Sequence, residues 1–72
     1  MSGETGAEVE VNGESRRLPP GASVDDLVRG LGRDPRTVAV EYNGEILARA
    51  SYVTTVLASG DRLEIVHFVQ GG

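Results

Sequence analysis

The sequence predicts an α+β fold, a mixed β-sheet with one main helix packed across it. Three observations predict it. Period-2 apolar alternation near both ends of the chain marks strands. A single helical apolar stripe lies between them, and two Asn-Gly pairs mark tight hairpin turns.

Residues 1–6 are small and polar and read as a disordered leader. Val9 and Val11 alternate with Glu8, Glu10 and Asn12, the pattern of a half-buried strand. Asn12-Gly13 turns the chain, and residues 14–18 return until Pro19-Pro20-Gly21 opens a loop. The helix is expected over 23–31. Ser23 suits the N-cap, Asp26 lies three residues on, and Asp25 and Asp26 place negative charge at the positive end of the helix dipole. Val24, Leu27, Val28 and Leu31 form one apolar face, and Gly30 and Gly32 weaken and then stop the helix.

A third strand is expected over 38–43, with Val38, Val40 and Tyr42 on one face. Asn43-Gly44 turns it into a short strand over 46–49. Residues 51–57 read as a crossover with a short helical turn. After Ser59-Gly60-Asp61, residues 62–69 form the last strand, with Leu63, Ile65 and His67 on the inner face. With 72 residues the chain forms one domain, expected over 7–69, followed by a tail over 70–72.

Size and composition exclude several functions. So short a chain buries only about 60% of its unfolded surface, leaving little room for both a core and a deep pocket. There is no cysteine, hence no disulfide, thiolate nucleophile or Cys-based metal site, and the cytoplasm is the expected compartment. A net charge of −4 argues against nucleic acid as a partner, and no apolar run approaches a membrane span. All seven basic residues are Arg, so no side-chain amine can form a Schiff base or an isopeptide bond. His67, the one histidine, has no Cys or Lys to activate and reads as the end of the core layer. No catalytic, cofactor-binding or metal-ligating set emerges, and Asp25-Asp26 read as helix capping.

The chemistry points to the C-terminus. Gly71-Gly72 directly follows the last strand. Residues without a Cβ extend freely and pass through narrow channels, so Gly72 can present its carboxylate to another protein's active site. An ionised carboxylate is a poor electrophile and must first be activated, most simply as an acyl-adenylate. On the outer face of the last strand, Val66 and Phe68 form a candidate apolar docking patch beside the tail of Gln70, Gly71 and Gly72.

Gly44-Glu45-Ile46-Leu47, the run Gly60-Asp61-Arg62-Leu63-Glu64-Ile65-Val66-His67-Phe68-Val69 and the final Gly71-Gly72 resemble the ThiS family of thiamin-biosynthesis sulfur carriers. The resemblance spans residues 9–72; Gln70 stands where many members carry a small residue. It implies a ubiquitin-like β-grasp fold and a carrier that is not itself an enzyme. It implies that an E1-like, ThiF-type enzyme adenylates Gly72 with ATP, and that this chain binds no cofactor of its own. The adenylate then becomes a thiocarboxylate, with sulfur supplied ultimately by a cysteine desulfurase. A ThiG-type thiazole synthase takes the sulfur and joins it with deoxyxylulose phosphate and dehydroglycine. Two other readings share the Gly-Gly end: a sulfur carrier for molybdopterin or a secondary metabolite, and a ubiquitin-like protein modifier.

Overall fold

The computed structural model of the chain describes residues 6–68. Five strands form one mixed sheet in the order β2-β1-β5-β3-β4. They are β1 (Ala7–Val11), β2 (Glu14–Leu18), β3 (Val38–Tyr42), β4 (Glu45–Leu47) and β5 (Arg62–His67), with α1 (Val24–Gly30) between β2 and β3. Both hairpins are antiparallel, and the last strand returns to the middle, parallel to β1 and antiparallel to β3.

Both Asn-Gly pairs make the expected turns. Asn12 and Gly13 lie at φ 51° and 84°, and Asn43 and Gly44 at φ 50° and 90°, the left-handed pairs that match the twist of a hairpin. The helix begins with a complete capping box. Ser23 Oγ accepts from the Asp26 N–H at 3.1 Å, and Asp26 Oδ2 accepts from the Ser23 N–H at 2.9 Å. It ends in a Schellman motif, with Gly32 at φ 80°, the Gly32 N–H bonded to Arg29 O and the Arg33 N–H to Val28 O.

Val24, Leu27 and Val28 are buried against Val9, Val11, Val38, Val40, Leu63 and Ile65, and Leu31 packs on the edge of this core. The helix face and the sheet face therefore meet as their periodicities required.

The connection after β4 differs from the expectation. β4 stops at Leu47, and Arg49 opens a 3-10 helix (Arg49–Ser51). The crossover does begin with the expected short helical turn, in which the Thr54 and Thr55 N–H groups donate to Ser51 O at 3.2 and 3.0 Å; the chain then leaves it, since Val53, Thr54, Thr55 and Val56 form a β-branched run unsuited to a longer helix. The segment also serves α1: Thr55 O and Tyr52 O accept from the Val24 and Asp25 N–H groups, and Val56 bridges Ser23. Tyr52 and Leu57 add to the core, and Tyr52 Oη donates to Val38 O at 3.3 Å. Gly6 lies against the Leu18 backbone at φ 71°. The rest of the leader, residues 1–5, lies outside the described residues.

Candidate functional site

The site is built around β5 because the chain continues from it into the glycine pair. Gln70, Gly71 and Gly72, with Val69, lie outside the described residues. Strands flank β5 on both sides, and the Phe68 N–H donates to Thr37 O at 3.1 Å, extending the β3–β5 ladder past His67.

Both turn asparagines also clamp this strand. The Asn12 side chain accepts from the Ile65 N–H at 2.7 Å and donates to Ile65 O at 3.1 Å, continuing the β1–β5 pairing where the backbone of β1 has turned away. Asn43 Oδ1 accepts from the Arg62 N–H at 2.8 Å, and its amide donates to Asp61 at 3.1 Å. Asp61 also accepts from Tyr42 Oη at 3.0 Å and from the Ala58 N–H at 2.9 Å. Partial burial pushes its carboxyl up, but the hydrogen bonds from Ala58, Asn43 and Tyr42 outweigh this and hold it below the usual range. The Tyr42 hydroxyl is pushed up by burial and by its bond to Asp61.

Val66 is 58% exposed on the outer face, opposite Ala39. Phe68 is half-buried, so the patch is less open than its strand phase suggests. Ile46, 76% exposed, lies on the same face opposite Glu41. Between the two apolar ends, Glu41 and Glu64 stand directly opposite each other. Such a like-charge pair is unfavourable in an isolated sheet.

His67 requires a correction. It follows Leu63 and Ile65 in phase but is exposed: its β3 partner Val38 is buried, whereas β1 pairs with β5 only as far as Leu63 and leaves that side of His67 uncovered. It lines a polar cleft of about 350 Å³ with Asn12, Glu14, Arg16, Arg33 and Ile65. Among the described residues no cluster of His, Asp and Glu could hold a metal ion, and no helix is long and apolar enough to cross a membrane.

The ThiS family model matches residues 9–72, through the final glycine. The chain belongs to the ThiS family. A sulfur carrier protein ThiS of Bacillus subtilis is 38% identical over 50 residues, covering 69% of this chain and 76% of that protein. Two proteins named thiazole synthase also match, from Paramagnetospirillum magneticum (45% identical over 62 residues) and Magnetococcus marinus (38% over 65). This chain spans only 19% and 20% of their respective lengths. Two structures of a thiamine biosynthesis protein from Geobacter metallireducens share the fold at 31% identity. The crystal structure, that of ThiS, has a TM-score of 0.75 and is covered over 99% of its length; the solution structure has 0.73 over 87%. Each covers 90% of this chain, and the ubiquitin-like β-grasp expectation holds.

Reading the sequence alone missed the two asparagine clamps and the grouping of Arg16, Arg33 and His67. The clamp at Ile65 joins residues 53 apart, which no local pattern signals.

Proposed function

We propose that this chain is a sulfur carrier in thiamin biosynthesis and that its working group is the Gly72 carboxylate. The observation that carries the proposal is the family match running through Gly71-Gly72, at the end of a chain whose last strand is the centre of the sheet. A carboxylate oxygen of Gly72 attacks the α-phosphorus of ATP on an E1-like activating enzyme, and pyrophosphate leaves. A persulfide sulfur supplied through a cysteine desulfurase then attacks the acyl carbon and AMP leaves; a thiol attacks the sulfur–sulfur bond of the resulting acyl disulfide, so that a new disulfide forms and the thiocarboxylate is released. Thiazole synthase is the acceptor this reading favours, since two relatives carry that name. The chain itself supplies position and steric slimness, and the chemistry belongs to its partners. A Cβ at residue 71 or 72 narrows the allowed backbone angles and widens the segment inside a channel.

Deleting Gly72 is expected to abolish ATP–pyrophosphate exchange with the activating enzyme, and Gly71→Val to impair it more than Gly71→Ala. Positioning errors of about 1 Å cost on the order of 10²-fold in rate. Intact mass spectrometry of the protein from its host should show replacement of one oxygen by sulfur at the C-terminus. Normal adenylation of the deletion variant, or Gly72 in amide linkage to other proteins, would overturn the proposal.

A further inference from the structure

Arg16, Arg33 and His67 come from three separate parts of the chain and line the one cleft at the end of β5. Arg16 lies on β2 opposite Val9, which places it on the helix side of the edge strand. Arg33 follows the Schellman turn of α1, and His67 ends β5. All three are exposed.

The chain's other arginines are mostly neutralised. Arg17, Arg29, Arg36 and Arg62 pair with Glu8, Asp25, Asp34 and Glu10. Among the described residues no ion pair engages Arg16, Arg33 or Arg49, and two of these three share this cleft with a single carboxylate, Glu14. A protein of net charge −4 thus keeps a cationic pocket beside the start of its tail.

We infer that this cleft is a docking socket for acidic side chains at the mouth of the tail channel on the activating enzyme. The inference rests on the carrier reading above. Residues 69–72 extend at most about 14 Å beyond Phe68, so an enzyme that takes Gly72 must bring its surface against the end of β5. His67 and its two arginine neighbours then lie at the rim of that contact. The activating enzyme must receive an acidic carrier close to bound ATP, itself strongly negative. A positive pole beside the tail turns that repulsion into orientation, with the tail end leading. Arginine forks and an imidazole N–H suit carboxylates, and Asn12, already bound to Ile65, fixes the floor of the cleft.

The test measures binding of the full chain to its cognate activating enzyme, and separately to thiazole synthase, over a range of salt. The double variant Arg16→Glu/Arg33→Glu is compared with wild type, with Arg49→Glu as the control for an exposed arginine elsewhere that likewise has no ion pair among the described residues. The double variant should melt like wild type, since neither arginine has an ion-pair partner among the described residues to lose. Its affinity for the activating enzyme should fall about tenfold or more, mainly through the association rate and with a weaker salt dependence. Arg49→Glu should bind within about twofold of wild type. Unchanged affinity of the double variant, an equal loss in Arg49→Glu, or a loss confined to thiazole synthase overturns the inference. So does saturable inorganic phosphate binding at the Asn12, Arg33 and His67 amides, seen by NMR, if enzyme affinity is untouched by the double variant. Deletion of Gly72 in parallel separates the two readings. If that variant is inert while Arg16→Glu/Arg33→Glu binds normally, only the socket fails.

Discussion

Asn12 and Asn43 each hold a hairpin turn and, with the same side chain, a segment of β5 or the residue before it. Their turn role is legible in sequence because Asn-Gly specifies a local backbone geometry. The clamp is not, because it depends on which strand the fold lays alongside. Asp61 is similar. The sequence marks a turn at Gly60-Asp61, while the structure makes its carboxylate the acceptor for Tyr42, Asn43 and Ala58. Asp61→Ala should cost about 1–3 kcal/mol at neutral pH, measured by urea unfolding. Because the folded carboxyl titrates below its usual value, this stabilisation is present above about pH 4 and is lost as pH falls through the folded value. The gap between wild type and Asp61→Ala should therefore close in acid. Asp34, held at about 2 by the hydrogen bond from the Arg36 side chain and then by the Arg36 N–H, loses its contribution over the same descent. A pH-independent gap would show that Asp61 acts by packing alone.

At the scale of elements, α1 and its buried face were readable because capping, stripe and stop signals agree over residues 23–32. Leu27→Ala should cost about 2–5 kcal/mol. A core this small supplies only about 3–5 kcal/mol in total, so circular dichroism should show that variant largely unfolded near 37 °C. Ser23→Ala removes one half of the capping box and should cost about 1 kcal/mol in the same assay. The outer face of β5 was readable in phase but not in depth: alternation gave Val66 and Phe68 one side, whereas Val66 is exposed and Phe68 half-buried. Phe68→Ala should weaken binding to the activating enzyme and to thiazole synthase more than it lowers Tm. Unchanged affinity for both would remove Phe68 from the interface. Residues 51–57 were legible in part: the short turn at Ser51 is local, whereas the path of Thr55 and Val56 follows from their pairing with the start of α1.

Over the whole molecule, charge is sorted by surface. Glu41 and Glu64 face each other on the open side of the sheet, and Arg16 and Arg33, without an ion pair among the described residues, line the cleft at the end of β5. The totals in the sequence conceal this, because net charge carries no position. The reading of the tail rests on sequence, because a glycine pair needs no tertiary context to be slim, and residues 69–72 lie outside the described residues. The described core is assembled from residues 7–65 with Leu18, Leu31, Tyr42 and Leu47 packed against it, so deletion of Gly72 should leave Tm within about 1 °C of wild type in a thermal melt. A shift comparable to that of Ser23→Ala would mean that the tail packs on the domain. The central place of β5 also has a mechanical meaning. A pull applied beyond Phe68 runs along the strand, so the hydrogen bonds to β1 and β3 and the two-bond Asn12 clamp are loaded together in shear rather than opened one after another. On the carrier reading proposed above, an enzyme that draws residues 69–72 into a channel under tension meets a strand that resists as a rivet does, with every bond bearing part of the load at once.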